Sequence, residues 1–279
     1  MMLIVDSGST KADWYYINDK GEKTLTHTMG LNPYFHGPDK VFQVLTQKDF
    51  EAVVPRTQVR KVFFYGAGCS DDTFCSSMKE GLIKSFPMAE IDVEHDLLGA
   101  ARATCGRSPG ISGILGTGSN SCLYDGNVVT DNITALSHVI GDEGSGVHLG
   151  KLLLQAYYYR ELPSDLEDLF SITYPEGKRS IIHRVYGENQ NVTIAEFAQF
   201  LIKNKEHSGA KKLIDKGLRE FAIRHLKKYE NWRNLEINLV GSIADMLSVE
   251  LKEIFASEGL KVGKIIRRPI EKLMDFHLH

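Results

Sequence analysis

Two hydrophobic periods alternate along this chain. β-prone runs occupy residues 3–5, 15–17, 22–28, 59–65, 90–94, 235–240 and 261–267, and several of them stop at Gly, Asp or Asn residues of the kind that close turns. Between and after them lie helix-period stretches. Residues 39–53 carry Val41, Phe42, Val44 and Leu45 on one face, a second helix starts at Asp71 or Asp72 and runs towards Phe86, and a third covers 96–103. Further on, a strand-like segment at 136–140 precedes a helix over 147–157. A mostly helical block then covers 166–170, 177–186, 193–204 and 210–229, with Thr193-Ile194-Ala195-Glu196 reading as a capping box. A helix runs from the 241–245 turn through Phe255, and Pro269 opens a short terminal helix. Strands that alternate with helices predict parallel pairing in an α/β protein.

Composition narrows the class. At 279 residues the chain can hold two medium domains with real cores, and 42% hydrophobic and 25% charged residues with a net charge of −3 describe an ordinary globular protein. No basic stripe points to nucleic acid or to an anionic membrane. The first apolar run stops at Asp6 without a basic leader, and no run approaches the ~20 apolar residues of a spanning helix, so the expected location is the cytoplasm. Cys69, Cys75, Cys105 and Cys122 include no Cys-x-x-Cys pair, which argues against zinc and disfavours an iron–sulfur cluster. His277 and His279 stand too close to the end of the chain to be counted as metal ligands.

Candidate chemistry gathers at strand ends. In Ile4-Val5-Asp6-Ser7-Gly8-Ser9-Thr10, Gly8 allows backbone N–H groups to approach an anion. Ser9 and Thr10 add hydroxyl donors, and Asp6 stands where it could hold a hydrated Mg²⁺. An ordinary hairpin has the same local signature. The form returns in Ile114-Leu115-Gly116-Thr117-Gly118-Ser119, and the hairpin turn Asp125-Gly126 repeats Asp19-Lys20-Gly21, so one domain plan occurs twice. Two such turns in tandem domains suit a polyphosphate, and nucleotide binding becomes the favoured reading.

Asp96 follows the 90–94 run at the carboxyl end of a strand, where open α/β sheets place ligands, although Asp is also a favoured N-cap and the two roles are compatible. Gly141-Asp142-Glu143-Gly144-Ser145-Gly146 feeds a helix N-terminus. Its acids suit a hydroxyl-rich substrate at Asp142 better than a bare phosphate, while first-turn capping remains open for Glu143. Gly241-Ser242-Ile243-Ala244 leaves room at a strand end for a base or ribose, or for tight packing alone. The loop 30–38 carries Asn32 and aromatic side chains, and the Lys211-Lys212 and Lys227-Lys228 pairs read as solvated helix faces.

Four blocks carry a family resemblance: Val5-Asp6-Ser7-Gly8-Ser9-Thr10-Lys11, His95-Asp96, Leu115-Gly116-Thr117-Gly118-Ser119-Asn120, and Gly141-Asp142-Glu143-Gly144-Ser145-Gly146. With them the chain resembles the N-acetylglucosamine kinase family, grouped with BadF-type activator ATPases in the sugar kinase, actin and heat-shock-70 superfamily. The resemblance implies an α/β fold of two ribonuclease-H-like (actin-like ATPase) domains with a nucleotide cleft between them. The first would span 1–107, with the terminal helix 269–279 packing back on it, and the second 108–268, with a helical insertion over about 160–230.

It further implies ATP and Mg²⁺ as cofactors and a small-molecule sugar as acceptor, with no nucleic-acid or membrane partner and a homodimer left open. Asp6, Gly8, Ser9, Thr10 and Lys11 would face the phosphates, with Asp6 on the metal through water. Gly116, Thr117 and Gly118 would hold phosphate from the second domain, and Gly241, Ser242 and Ala244 would line the adenosine pocket. Asn32, Asp96, Ser119, Asn120 and Asp142 would contact the sugar, with Asp96 as catalytic base. The implied activity is transfer of phosphate to a hydroxyl, at C6, of a sugar or amino sugar such as N-acetylglucosamine; the alternative is a BadF-type ATPase activator acting on a partner protein. Amino-sugar-specific members carry Gly-Trp-Gly where this chain has Ala135-Leu136-Ser137, which leaves the acceptor open.

Overall fold

The computed structural model describes residues 1–8, 10–69 and 71–278, so Ser9, one of the expected phosphate-facing residues, lies outside the described residues. The chain divides into two compact units: Met1–Arg107 with Arg268–His279, and Ser108–Arg267.

The first unit is built on β1 (Met2–Ser7), β2 (Lys11–Ile17), β3 (Lys23–Met29), β4 (Lys61–Gly66) and β5 (Glu90–His95), in the spatial order β3-β2-β1-β4-β5. Leu3, Ile4 and Val5 are fully buried because β1 is the central strand of the sheet and is covered on both faces. β1, β2 and β3 form an antiparallel meander, and β4 and β5 run parallel to β1. Trp14 anchors one face: its ring meets Phe50 edge-on at 5.1 Å, and its indole N–H donates to Thr28 Oγ1 at 2.9 Å. The helix Ile270–Leu278 packs on Asp96–Cys105 and on β1 and β2. His277 stacks on Phe63 at 3.7 Å and its Nε2 lies 2.8 Å from the Tyr65 hydroxyl, which also accepts from Arg102 at 2.8 Å.

The second unit repeats the plan. Strands β6 (Gly110–Leu115), β7 (Ser119–Tyr124), β8 (Val129–Asp131), β9 (Glu236–Val240) and β10 (Lys261–Ile266) stand in the order β10-β9-β6-β7-β8. The three-strand antiparallel meander comes first, and β9 and β10 then add in parallel. Between β8 and β9 the helix Gly146–Tyr158 is the hub on which Gln190–Glu196, Ala198–Lys203 and Ser208–Arg224 pack. Phe170, Phe197 and Phe221 are fully buried in the same core as Ile111, Leu115 and Leu239 of the sheet, so the helices and the sheet share one apolar interior.

Four local expectations are corrected. The helix expected over 39–53 breaks after Pro38–Leu45, because Thr46 Oγ1 donates to Phe42 O at 2.9 Å and satisfies a last-turn carbonyl; only the short helix Lys48–Glu51 follows. Thr193 is not an N-cap. Asn189 takes the left-handed conformation (φ 56) and starts the helix at Gln190, leaving Thr193 inside it. The segment 136–140 forms the short helix Ser137–Ile140 rather than a strand; its β-branched pair Val139 and Ile140 is exposed, so no buried sheet face rewards the extended form. The helix expected over 210–229 ends at Arg224, with His225 as its C-cap residue, and tightens into the 3₁₀ turn Leu226–Lys228.

Candidate active site

In the first unit, Asp6 near the end of β1 pairs across the sheet with Asp13 of β2, so the two acids stand directly opposite each other on one face. Burial, then the charges of Asp96 and Asp13, push the Asp6 carboxyl up to about 7. Asp13 is buried and neutralised: Lys11 Nζ lies 2.9 Å and His27 Nδ1 2.7 Å from its Oδ1, and Arg268 Nε stands 4.0 Å from Oδ2. The Lys11 ammonium, expected on a phosphate, is therefore held beside Asp13. Gly8 N–H donates to Lys11 O at 3.0 Å and closes the turn, while Thr10 is exposed and its carbonyl accepts from Gly30 N–H at 3.0 Å.

The loop after β3 is stitched to this strand end by Ser7, whose hydroxyl donates to Leu31 O (3.2 Å) and accepts from Leu31 N–H (2.9 Å). Asn32, buried at the start of that loop, shapes it with its own acceptors: Oδ1 takes Tyr34 N–H at 2.9 Å, and its carbonyl takes Phe35 and His36 N–H. Asn32 and Asp6 thus belong to one tied cluster, through Ser7.

Asp96 begins the helix that follows β5, but it does not cap it. His95 is the N-cap residue: its Nδ1 lies 2.9 Å from Leu97 N, and Asp96 Oδ1 lies 2.7 Å from the same nitrogen. Asp96 stands at the first helical position rather than at the cap, and its charge helps to raise the proton affinity of Asp6. Burial pushes the His95 imidazole down, but the hydrogen bond and charge of Asp96 outweigh it, and the net direction is upward.

In the second unit two sequence blocks converge. Gly146 N–H donates to Gly116 O at 2.9 Å and Val147 N–H to Thr117 O at 3.0 Å, so the β6–β7 turn is bonded to the start of the helix Gly146–Tyr158. Asp142 is buried in the left-handed conformation (φ 63), and its Oδ1 accepts Ser119 N–H at 3.1 Å. A Cβ at Gly118 would fall 3.0 Å from that oxygen, so a larger residue there would press on the Asp142 carboxylate. Burial pushes the Asp142 carboxyl up, against the Ser119 N–H and the Lys151 charge. The Ser119 hydroxyl is buried and makes no hydrogen bond among the described residues, a donor available to a ligand. Asn120 instead organises its strand: Oδ1 accepts from Ser121 N–H at 2.9 Å and Asn132 Nδ2 at 3.0 Å. At the end of β9, Gly241 (φ 129) lies so close to β6 that a Cβ would meet Leu115 O at 2.2 Å; it begins the short helix Ser242–Met246, in which Ala244 is buried.

Several residues of this site are not signalled by motif. Glu143 does not act on its own helix: its Oε1 accepts from Arg224 at 3.0 Å and its Oε2 from His225 Nε2 at 3.1 Å, while Gly144 N–H donates to His148 Nδ1 at 3.0 Å. Lys151 Nζ donates to His138 O (2.8 Å) and Gly141 O (3.3 Å), fixing the turn from outside. Ser145 is the N-cap, with Oγ accepting His148 N–H. Of all these, only the Ser145 cap leaves a local signature.

A cation fits the first unit on charge. The charges of Asp96 and Asp13 act on Asp6, and a divalent ion on Asp6 would offset that part of the rise in its proton affinity. Among the described residues no group of three or more His, Cys, Asp or Glu is arranged as a metal-ligand set. No helix among them is long and apolar enough to cross a membrane.

The twice-repeated order of meander and parallel strands, with acid- or glycine-bearing turns at the ends of β1 and β6, defines the actin-like class of two-domain α/β proteins that includes sugar kinases. A crystal structure of a provisionally named N-acetylglucosamine kinase from Porphyromonas gingivalis is 34% identical to this chain, with 99% of this chain and 98% of that one covered and a TM-score of 0.93. The chain belongs to the N-acetylglucosamine kinase family. A second provisionally named N-acetylglucosamine kinase, from Chromobacterium violaceum, shares the fold at 16% identity, 99% and 98% coverage and a TM-score of 0.79. A ROK family glucokinase from Streptomyces griseus, solved with glucose and AMPPNP, shares it at 12% identity, 98% coverage of both chains and a TM-score of 0.54. No protein-family model matches the chain, and no curated protein matches its sequence.

Proposed function

We propose that this protein is an ATP-dependent kinase that phosphorylates a hydroxyl, at C6, of a sugar or amino sugar, with N-acetylglucosamine the leading acceptor. The observation that carries the reading is the placing of Asp96 at the carboxyl end of β5, at the first position of its helix and acting on Asp6 at the end of β1. One acid is then available to a metal and the other to a hydroxyl. The names of the family's solved members support the same reaction.

In this reading Asp96 accepts the acceptor hydroxyl's proton as that oxygen bonds to the γ-phosphorus and the bond to the ADP oxygen breaks. A carboxylate suffices as base because the proton leaves late in a loose transition state. Asp6 would hold Mg²⁺ through water, and the ion would supply neutralising charge to the phosphates. Gly8 and Thr10, and likewise Gly116, Thr117 and Gly118, would face phosphate, and Gly241, Ser242 and Ala244 the adenosine, while Lys11 is engaged by Asp13. Asn32, Ser119, Asn120 and Asp142 bind the sugar, with the Ser119 hydroxyl and the Asp142 carboxylate supplying a donor and an acceptor.

The test is a panel of sugars and amino sugars screened with ATP and Mg²⁺ for ADP release. The expected result is acceptor-dependent ADP that disappears in Asp96→Ala while ATP binding survives. ADP release that needs no acceptor and persists in Asp96→Ala would overturn the assignment.

A further inference from the structure

The crowding at one nitrogen of His95 carries a specific role. Nδ1 lies 2.7 Å from Asp96 Oδ1 and 2.9 Å from Leu97 N. An imidazole nitrogen either carries a proton and donates or offers its lone pair and accepts, so it cannot serve both neighbours at once. If Nδ1 were bare, its lone pair would face a carboxylate oxygen at 2.7 Å, two acceptors in repulsive contact. With a proton on Nδ1 the short contact becomes a charge-assisted hydrogen bond, shorter and stronger than the capping bond it displaces. The acid therefore selects the form of the imidazole that donates to it, whether His95 is neutral or protonated.

We propose that His95 is a positioning residue for Asp96: its Nδ1–H holds one carboxylate oxygen of Asp96 and leaves the other to meet the acceptor hydroxyl. The inference rests on Asp96 being the base of the proposed kinase. The surroundings agree with it. His95 is the last residue of β5 and pairs in register with Gly66 of β4, which brings no charge, and Asp96 is the charged group whose field acts on the ring. At its far end the helix bearing Asp96 is fixed by the Arg102 bond to Tyr65, so the helix is held at both ends and the carboxylate is aimed from a rigid element.

Three substitutions separate positioning from capping. Asn and Asp cap helices about equally well. Asn can also donate to Asp96, whereas Asp cannot and would repel it. Positioning predicts that His95→Asn keeps kcat within about threefold of the parent, and that His95→Asp and His95→Ala lose about 10²-fold in kcat with KM for ATP unchanged. A capping role alone predicts that Asn and Asp behave alike, and equal activities in those two variants would overturn the proposal. A second measurement does not depend on catalysis: the His95 ring titration followed by NMR should move to lower pH in Asp96→Asn. If the ring titrates identically in that variant the pairing is wrong; if it moves but Asp96→Asn still turns over sugar at the parental rate, the pairing stands and it is the assignment of Asp96 as base that fails.

Discussion

The carboxylate of Asp142 accepts the backbone N–H of Ser119 at 3.1 Å, joining two glycine-rich turns that lie 23 residues apart in the chain. Asp142 adopts φ 63 to do so, and the buried Ser119 hydroxyl stands beside the bond. Asn tolerates that backbone and can offer the same acceptor, whereas Ala offers none. Asp142→Asn should therefore leave the melting temperature unchanged while KM for the sugar rises about tenfold, through loss of a charge-assisted bond to its hydroxyl. Asp142→Ala should lose about 1–2 kcal/mol of stability as well. Calorimetry and acceptor titrations on the two variants separate these effects.

Asp6 makes a prediction about stability without metal. Its folded proton affinity is raised to about 7, above the unfolded value of 3.8, so the folded state binds the extra proton. The stability tied to Asp6 is complete at low pH, is lost as pH rises from the unfolded value to about 7, and stays lost above it. Asp6→Asn removes that loss. The metal-free variant should be more stable than the parent at neutral pH by on the order of 2 kcal/mol, after allowance for solvent at this half-buried group, and should match it in mild acid. Urea unfolding at the two pH values checks it, and magnesium should stabilise the parent but not the variant.

Much of this frame is legible in the chain because strand ends are marked locally. β-prone runs that stop at Asp6, Gly66, Gly116 and Gly241 locate the sheet, and the likeness of the two strand–turn–strand segments gives the duplicated plan. Partners distant in sequence are not marked. That His27 would meet Asp13 from the neighbouring strand, or that Glu143 would find His225 82 residues later, depends on tertiary packing that no local period encodes. The error at 136–140 has the same root, since β-branched residues favour a strand only where a sheet face covers them, and Val139 and Ile140 have none. Asp96 was legible as a candidate from its place after a strand, whereas the exchange of roles with His95 was not, because either residue type can cap.

Glu143 tests whether the Gly141–Gly146 turn is held from behind. Its partners outweigh the cost of burial and keep its carboxyl below the ordinary value, with His225 donating at 3.1 Å and Arg224 at 3.0 Å. Glu143→Ala leaves the buried His225 ring without its acceptor and should cost about 2–3 kcal/mol in urea unfolding at neutral pH. A depressed acid contributes stability above its unfolded value and loses it as pH falls through the folded one. The gap between parent and variant should therefore narrow in acid. A gap that is constant with pH would assign the effect to packing instead of charge.

His277 gives the opposite test, at the terminal helix. Burial, then the charges of Arg102, Lys61 and Arg107, lower its folded affinity from 6.5 to about 4. The unfolded chain binds the proton first, so stability is complete above 6.5 and declines as pH falls from there towards 4. Gln at this position can still meet the Tyr65 hydroxyl, but it does not titrate. His277→Gln should lose some stability at neutral pH, where stacking on Phe63 is gone, and should lose less than the parent does on acidification. Melting temperatures of the two proteins should therefore converge as pH is lowered. Curves that stay parallel over the same range would show that the ring does not titrate against the fold, and that the terminal helix is held by Ile270, Leu273 and Met274 alone.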